Sequence, residues 1–596
     1  MANQFLIKNT MADMRALSVS EITALQNGTY EGVELLGYYE RGDTAAPIIY
    51  YLAPVSPDPG PDDGGSIITV QTNKLQHEFV DQIDARYFGV SANIADNTVQ
   101  FQKLVNLAVL RGLNVYLDGF YAIKNLQIDQ ASNIKFYSNN GGLYQYAAGR
   151  NFISITNSSK ISIEGLKIRG FGQFDIPQGE SGIYYHNVYV SDSSEISFDR
   201  CEIFDATRGG ILSVKTNYLS IDNCSFYQNR SMFDVSFGYS ITTTVRNIGF
   251  TCTNSTFLGS NSYGIHCMGG GSNYMITGNS ISDKSEYGIV FYHLGTDLDP
   301  LQVIDNIVIS NNVIENISDG TGTDAKGMGI YLQTVEKAVV SDNLVRNTLL
   351  GRNQTTVNRQ LSPAAISING SRDITCTGNL IEKSRIDGIG VTNSVIGSRG
   401  TIVANNVLLG IEKTGVSLYT VNNCSVQGNI IEGNGSNEAG IDIHSSSARR
   451  SSDISVSGNQ IKSGFRIGIN TFKSTGIGFD RINITDNRIN NCQLYYIYLA
   501  SINVLKCEGN TCSNDTVAML AGGSAIRVDT NENLLVSNNV LIGSPTVELK
   551  RGLQSSNNIF GKITDNIIRN VEDPTYRLYS TGESLDIFNN LGNNFF

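Results

Sequence analysis

The chain has 596 residues, too many for one ordinary hydrophobic core, so it must form either several domains or one elongated repeat architecture. Its 60 glycines, its 10 prolines and its lack of tryptophan favour short β-strands joined by tight turns. The formal charge of -12 and the pI near 5.0 argue against a nucleic-acid partner, which would require a basic surface.

The sequence also lacks signals for membranes and metals. No run of about 18 apolar residues occurs, and the first ten residues lack the apolar core of a signal peptide. We therefore expect neither membrane insertion nor a signal peptide. The nine cysteines stand singly within apolar strand patterns, without Cys/His ligand spacing, so we interpret them as small buried side chains. The sequence predicts no metal site and no cofactor.

Residues 1–84 are predicted to form a small N-terminal head or attachment region. Residues 11–25 have the pattern of one short helix. Residues 52–64 contain four of the ten prolines, which indicates a loop or linker.

Residues 85–124 change from strand to helix periodicity and back. Four apolar residues follow approximate helical spacing: Phe101, Leu104, Ala108 and Leu110. Asp96 and Asn97 offer an N-cap, Gly112 offers a C-cap, and residues 115–117 look like a strand. This pattern predicts a short amphipathic helix that caps the end of a solenoid, followed by the first strands.

The segment 87–121 resembles the N-terminal cap of the pectate-lyase-like β-helix superfamily. It contains Tyr-Phe-Gly-Val, an Asp-Asn-Thr capping pair, the predicted helix, and then Gly-Leu-Asn-Val-Tyr-Leu-Asp-Gly-Phe-Tyr. Upstream, residues 35–43 and 62–68 resemble the small domain that precedes the β-helix in phage tailspikes and related depolymerases. The resemblance implies an all-β fold, a right-handed parallel β-helix solenoid over residues 125–570, with a C-terminal cap over residues 571–596.

The same resemblance implies a function. A protein of this kind is expected to be a homotrimer that binds and cleaves a bacterial surface polysaccharide, namely a capsule, exopolysaccharide or O-antigen. Its N-terminal region would dock to the baseplate or tail of a virion, which places it on the virion as a tail appendage or outside the cell after lysis. The coils match no single catalytic family, so the resemblance assigns no catalytic residue.

A repeated motif, apolar-x-apolar-x-(Gly/Asp/Asn)-Asn-x-(Ile/Leu/Val), supports the solenoid. Its asparagines are Asn279, Asn312, Asn343, Asn379, Asn406, Asn429, Asn459, Asn487, Asn539 and Asn566, with Asn510 as a looser match. The same slot continues towards the N-terminus at Leu166, Cys201, Cys224 and Ser255. The pattern predicts about fifteen coils, in which the stacked asparagine amides bond the turns above and below.

A second strand pattern, Gly-Ile-x-apolar, recurs about ten residues after the asparagine. It occurs at residues 263–267, 287–291, 328–332 and 439–443. Because side chains alternate along a strand, the isoleucines are predicted to point into the core and the residue after each to point outward. The core residues are then Ile265, Ile289, Ile330 and Ile441. Ligand chemistry is expected on the outward side.

Hydrolysis of a glycosidic bond uses two carboxyl groups about 5 to 9.5 Å apart, whereas β-elimination uses a base and a charge neutraliser. The region richest in suitable residues surrounds long insertions at 292–300 and 318–327. Glu286 precedes one Gly-Ile strand and His266 follows another, so both are expected to flank one groove. The predicted catalytic residues are Glu286, Asp297, His266 and Asp324. The predicted substrate-binding residues are Asp234, Tyr292, His293, Tyr331 and Gln333.

Several alternatives remain open at this point. Acidic loop residues are commonly just solvated, and His266 could pack against neighbouring tyrosines instead of binding substrate. A competing cluster consists of Glu412, Tyr419, Asp442, His444, Arg466 and Lys473. The predicted enzyme is a glycoside hydrolase or a polysaccharide lyase. The alternatives are a non-enzymatic polysaccharide- or receptor-binding rod and a bacterial polysaccharide lyase or epimerase.

Overall fold

The computed structural model describes most of the chain, and the chain divides into two compact units. Unit 1 comprises Met1–Tyr239 and Asn247–Thr256, and unit 2 comprises Ser240–Arg246 and Phe257–Phe596. The described residues are 5–172, 185–230, 233–238, 247–259, 261–292, 303–318, 326–349, 363–393, 397–435, 438–446, 449–473, 477–572, 578–582 and 585–592.

The head region of unit 1 is built on a five-stranded sheet. Its strands, in spatial order, are Phe5–Lys8, Gly32–Leu35, Ile48–Leu52, Asn73–Gln76 and Ile67–Val70. Two helices, Met11–Arg15 and Val19–Gln26, stand where one was predicted. The reason is Ser18, whose hydroxyl accepts the Glu21 amide while the Glu21 carboxylate accepts the Ser18 amide. This capping box starts a second helix.

The predicted capping helix is present as Thr98–Arg111, after a short 3₁₀ turn at Ala85–Phe88. Phe101, Leu104 and Ala108 are buried as expected, but Leu110 is 80% exposed and lies outside the core. Gly112 ends the helix with φ of 67°, a left-handed conformation that suits glycine. The Asp96 carboxylate accepts the Thr98 amide at 2.9 Å, whereas the Asn97 side chain bonds Ser91 and Ala122.

Both units contain three columns of parallel strands, here called sheets 1, 2 and 3. In unit 1, sheet 1 comprises Gln82–Asp84, Asn114–Tyr116, Ser132–Tyr137, Ser159–Glu164, Ser194–Asp199, Asn217–Asp222 and Asn247–Thr253. Sheet 2 comprises Phe120–Ile123, Gly142–Gln145, Lys167–Arg169, Glu202–Phe204 and Ser225–Tyr227, and the strand Thr256–Leu258 includes the last residue of unit 1. Sheet 3 comprises Leu126–Asp129, Ile153–Thr156, His186–Ser191, Gly209–Val214 and Phe233–Phe237.

The described residues of unit 2 also form three columns of parallel strands, numbered in the same way. Sheet 1 comprises Gly271–Thr277, Ile304–Ser310, Val335–Ser341, Arg372–Thr377, Ile402–Ala404, Asn422–Gln427, Ser452–Ser457, Phe479–Thr485, Ile502–Glu508, Asn533–Ser537, Phe560–Thr564 and Leu585–Phe588. Sheet 2 comprises Ser280–Ser282, Val313–Glu315, Leu344–Thr348, Leu380–Ser384, Val407–Ile411, Ile430–Gly433, Gln460–Ile461, Arg488–Asn490, Thr511–Asn514, Val540–Gly543, Ile567–Arg569 and Leu591–Gly592. Sheet 3 comprises Tyr263–Met268, Tyr287–Tyr292, Met328–Gln333, Ala364–Asn369, Asp387–Thr392, Val416–Tyr419, Ala439–Ser445, Ile467–Lys473, Tyr495–Ala500, Ser524–Asp529, Leu553–Asn558 and Leu578–Gly582.

The predicted asparagine column is confirmed. The eleven asparagines from Asn279 to Asn566 are each at most 1% exposed. Each of the first ten donates its Nδ2 to the Oδ1 of the next one, at 2.9 to 3.0 Å. The Oδ1 of each asparagine after Asn279 also accepts the backbone amide of the previous one, as from Asn406 to Asn429 at 2.9 Å. In unit 1 the slot holds Cys201, Cys224 and Ser255. The Cys224 sulfur accepts the Cys201 amide at 3.4 Å, and the Ser255 hydroxyl oxygen accepts the Cys224 amide at 3.1 Å.

The solenoid has about 19 turns, more than the fifteen expected from the repeat. The repeat count found fifteen of the eighteen described strands of sheet 2 and missed the first two and the last, and sheet 1 has one more strand, Gln82–Asp84, before them. Gly119 and Gly141 occupy the slot at the first two, where their carbonyls accept amides from the strand above. Asn590 occupies it at the last and binds Nδ2 of Asn566 at 2.9 Å. No described helix is long and apolar enough to cross a bilayer.

Candidate functional site

The face predicted to carry chemistry is the outer side of sheet 3 in unit 2. Ile265, Ile289, Ile330 and Ile441 are fully buried in the core, as the alternation predicted. The residues that follow them stand in register on neighbouring strands: His266 beside Val290, and Val290 beside Tyr331. Alternation therefore places these side chains outward in one column.

Glu286 lies just before one of these strands and is held by neighbours from two other turns. Its Oε1 pairs with the Lys326 ammonium at 3.0 Å and accepts the Ser262 hydroxyl at 3.4 Å. Its Oε2 is buried and has no hydrogen-bond partner among the residues that the structure describes. The Glu286 side chain is 18% exposed, so the ion pair is partly shielded from water. A fixed, partly desolvated carboxylate of this kind suits proton transfer.

The Tyr263 hydroxyl faces the same carboxylate. Burial, together with the negative charge of Glu286, raises the pKa of Tyr263 well above its usual value, so this phenol keeps its proton. Glu286, Lys326 and Tyr263 thus bring together an acceptor, a cation and a proton donor.

His266 lies against Tyr263, with the two rings stacked at 5.1 Å between centroids. It is 6% exposed, and burial lowers its pKa to about 4, which keeps the imidazole neutral at physiological pH. His266 therefore packs against a tyrosine, as in the alternative interpretation of the sequence. A role for His266 in proton transfer stays a prediction.

Three tyrosines continue this packing from turn to turn. Tyr263 stacks on Tyr287 at 5.7 Å, and Tyr287 stacks on Tyr331 at 5.5 Å, with interplanar angles of 15 to 16°. Because each inner ring has a neighbour on its face, this ladder presents ring edges and hydroxyl groups to its surroundings. Sugar hydroxyls are the natural partners of such groups.

Tyr331 and Gln333, both predicted to bind substrate, belong to one hydrogen-bonded chain. The Tyr331 hydroxyl donates to Gln333 Oε1 at 2.7 Å and accepts Asn369 Nδ2 at 3.2 Å, and Asn369 Oδ1 accepts the Thr392 hydroxyl at 3.0 Å. Burial raises the pKa of Tyr331 to about 12. Tyr292 is half-buried and packs against the apolar cluster that includes Tyr331.

The other predicted residues are placed as follows. His293, Asp297 and Asp324 lie outside the described residues. Asp234 belongs to unit 1, is fully buried, and accepts Asn229 Nδ2 at 2.9 Å. The Asp234 carboxylate therefore stabilises the turn in which it lies, and a ligand could contact it only if that turn rearranged.

Asp442 and His444 form the core of the competing cluster. His444 Nε2 and Asp442 Oδ2 are 2.6 Å apart, and Asn470 Nδ2 donates to Asp442 Oδ1 at 2.9 Å. The imidazole lies between Tyr419, stacked at 5.8 Å, and Phe472, edge-on at 5.4 Å. Asp442 and His444 are 2% and 5% exposed, so substrate contact would require the covering residues to move.

Three further members of that cluster are placed as follows. Glu412 lies 3.9 Å from Arg385, and Arg466 and Lys473 are exposed.

Lys326 is the functional candidate that the sequence argument missed. It stands at the end of the predicted insertion 318–327, where it is the only lysine or arginine. Tyr263 was also missed, although a tyrosine precedes Gly-Ile in two successive repeats, at Tyr263 and Tyr287. A cation at the end of an acidic insertion and a repeated aromatic beside the strand were the available signals.

Comparison with known families identifies the fold. The family model described as Right handed beta helix region matches residues 111–359. This match covers less than half of the chain, and the fold of the chain is a right-handed parallel β-helix. A second model, described as Periplasmic copper-binding protein (NosD), matches residues 301–497. Within the part of the β-helix that the structure describes, no group of three or more His, Cys, Asp or Glu side chains is placed to hold a metal ion.

Solved β-helix structures align over much of the chain at low identity. They include the Dettilon tailspike protein, at 14% identity and a TM-score of 0.33, covering 69% of this chain and 66% of that one. Tailspike protein 3 of bacteriophage CBA120 aligns at 12% identity and a TM-score of 0.41, covering 80% of this chain and 63% of that one. A tailspike of Acinetobacter baumannii bacteriophage Fri1, a capsular polysaccharide depolymerase, aligns at 12% identity and a TM-score of 0.31, covering 80% of this chain and 74% of that one.

This β-helix chain therefore spans about two thirds of the length of the first two tailspike chains. At these identities and scores the alignments bear on neither the substrate nor the reaction. Comparison with curated proteins gives no match.

Proposed function

We propose that this β-helix protein is a tailspike-type depolymerase that binds a bacterial surface polysaccharide at sheet 3 of unit 2 and cleaves it beside Glu286. The observation that carries the proposal is the Glu286 carboxylate, held by Lys326 at 3.0 Å beside a ladder of stacked tyrosines. The resemblance of residues 35–121 to tailspike head and cap segments supports the polysaccharide as substrate.

The chemistry follows from the neighbours of Glu286. The Lys326 ammonium holds the Glu286 carboxylate in place at 3.0 Å, where it could accept a proton from an attacking water or from the sugar. Tyr263 keeps its proton and can hydrogen-bond a sugar hydroxyl or the bridging oxygen. In hydrolysis, water adds across the glycosidic C–O bond and the departing oxygen gains a proton. In β-elimination, the base removes a ring proton, a carbon–carbon double bond forms as the C–O bond breaks, and the departing oxygen gains a proton.

An exposed apolar stripe on sheet 1 supports the homotrimer. Met275, Val308, Val339 and Ile402 stand in register on this sheet, with Thr375 between the last two, and each of the four is 39 to 42% exposed. In unit 1 the matching column is polar: Lys135, Ser162, Ser197, Ser220 and Thr251. A run of exposed apolar residues over successive turns is what a subunit contact would bury.

The proposal extends to location. The head region, with its resemblance to tailspikes, would attach the trimer to a phage tail, and the β-helix would meet the host polysaccharide.

Incubation with a panel of capsular, exopolysaccharide and O-antigen preparations tests the proposal. New reducing ends without an unsaturated product indicate a hydrolase, and new reducing ends together with ultraviolet absorbance of a double bond indicate a lyase. A polysaccharide that is bound but never shortened would favour the non-enzymatic binding rod. If no polysaccharide in a broad panel is bound or cut, the proposal fails.

A further inference from the structure

We propose that an open patch on sheet 3 of unit 2 binds the carboxylate of an acidic sugar. The patch, here called the Arg527 patch, consists of Asn470, Phe472, Tyr495, Tyr498 and Arg527. The inference rests on the proposed function, because it assigns a second part of sheet 3 to the same polysaccharide and names its chemical class.

The patch is open where the preceding turns of sheet 3 are covered. The outward residues Ser367, Ser417 and Asp442 are 0, 4 and 2% exposed, whereas Asn470, one turn beyond Asp442, is half-buried. In the same two turns His444 is 5% exposed and Phe472, its partner in register, is 53% exposed. Tyr498 and Arg527 follow Asn470 in register on the next two strands and are half-buried. Sheet 3 therefore becomes accessible at the turn of Phe472.

Arg527 is fixed in place but keeps donors for a ligand. Its guanidinium lies over the rings of Tyr495 and Tyr498, at 5.6 and 5.5 Å from their centroids. Its Nε donates to Asp529 at 2.7 Å and one terminal nitrogen donates to the Tyr495 hydroxyl at 2.9 Å. A guanidinium has five N–H donors, so these two bonds leave others for a carboxylate. The Arg527 side chain is 29% exposed.

The aromatic residues of the patch suit the ring of a sugar. Tyr495 and Tyr498 stack at 5.1 Å, and the exposed Phe472 adds an apolar surface on the neighbouring turn. Apolar C–H groups of a sugar pack on such surfaces while its polar groups reach donors at the edge. Arg466 and Lys473 are exposed and lie close to Asn470 and Phe472 in sequence. Because a guanidinium can donate two parallel N–H bonds to one carboxylate, the remaining donors of Arg527 favour an anionic ligand.

The patch is remote from Glu286. Seven steps of sheet 3 separate the strand Tyr287–Tyr292 from the strand Tyr495–Ala500, which at about 4.8 Å per step is about 34 Å. A sugar bound at the patch is thus far from the bond that would be cut. Binding at the patch would help to hold a polysaccharide long enough to reach both the patch and Glu286. It would not raise the affinity of a shorter chain bound at Glu286.

Calorimetric titration with oligogalacturonates and with maltooligosaccharides of equal length tests the inference. The titrations use the Glu286→Gln protein, so that binding is measured without cleavage. The uncharged oligosaccharide is expected to bind at least tenfold more weakly than the acidic one. Arg527→Met should lower affinity for the acidic probe at least tenfold, and Arg527→Lys should restore part of it. Lys506→Met removes a cation from sheet 1 and is expected to change nothing.

Equal binding of the acidic and neutral probes, no binding of the acidic probe, or an unchanged affinity in Arg527→Met would overturn the inference. These outcomes are separate from failure of the proposed function. If the parent protein cuts a polysaccharide but these titrations fail, only the patch assignment is wrong. If oligogalacturonate binds at Arg527 but no polysaccharide is cut, the depolymerase proposal is wrong and the patch stands.

Discussion

Replacing Asn429 with leucine tests how far the asparagine column stabilises the solenoid. Asn429 is fully buried, and its Oδ1 accepts the backbone amide of Asn406 at 2.9 Å. Its Nδ2 donates to the carbonyl of Val403 at 2.9 Å. Leucine removes both bonds, together with the bonds of Asn429 to the side chains of Asn406 and Asn459. It strands at least one buried amide and one buried carbonyl. At about 1 to 3 kcal/mol for each stranded group, we expect the free energy of unfolding to fall by about 2 to 6 kcal/mol.

Urea unfolding followed by circular dichroism measures the loss, and hydrogen exchange read by mass spectrometry locates it. The peptide that contains Asn406 should exchange faster in Asn429→Leu, because its amide loses its acceptor. Asn422→Leu is the matched control, since Asn422 lies in the same turn but is exposed. If both variants unfold at the same urea concentration and the Asn406 peptide exchanges as in the parent, the column does not stabilise the fold as argued.

Three further predictions concern pH, assembly and the ion pair. Burial lowers the pKa of His266 to about 4 from 6.5, so the unfolded chain binds this proton first as the pH falls. Its contribution to stability is full above pH 6.5 and is lost between pH 6.5 and pH 4, by up to about 3 kcal/mol, and His266→Phe should flatten the unfolding free energy over that range. Light scattering should give a mass near three chains. We expect Val339→Asp to lower this mass and the control Ser197→Asp to leave it unchanged. A fully active monomer would contradict the proposed trimer. Lys326→Met should lower kcat by about 10- to 100-fold. The control Lys337→Met, which changes an exposed lysine on sheet 1, should leave kcat unchanged. Equal kcat values in the parent and both variants would show that the ion pair of Lys326 and Glu286 has no part in the reaction.

The fold could be predicted from the sequence because each turn repeats the same local chemistry. An asparagine that must satisfy buried amides recurs at every turn from Asn279 onward, and it stands beside alternating apolar residues. Where other residues fill the slot, as at Gly119 and Gly141, the motif is absent and these turns were not counted. The prediction of one helix over residues 11–25 was wrong for a local reason. The Ser18 capping box is a strong signal for the start of a helix, and it lies within a weak helical pattern.

The candidate site could be predicted only in part. Alternation along the strand correctly put the isoleucines inside, but it cannot tell an outward residue that is open from one that is covered. His266, Tyr331 and Asp442 all follow a core isoleucine and all are at most 8% exposed, whereas Phe472 is open. Lys326 reaches Glu286 from 40 residues away, and such a pairing depends on how the turns stack, which the sequence does not state.

The most direct test of the central claim compares the turnover of Glu286→Gln with that of Asp442→Asn, on a polysaccharide that the parent protein cuts. Both substitutions remove one carboxylate from sheet 3 or its edge, and both are nearly isosteric. If the reaction takes place beside Glu286, Glu286→Gln lowers kcat by about 100-fold or more with binding and trimer mass retained, and Asp442→Asn stays within a few-fold of the parent. An unchanged kcat in Glu286→Gln, or a loss confined to Asp442→Asn, would contradict the account and move the reaction to the Asp442 and His444 pair.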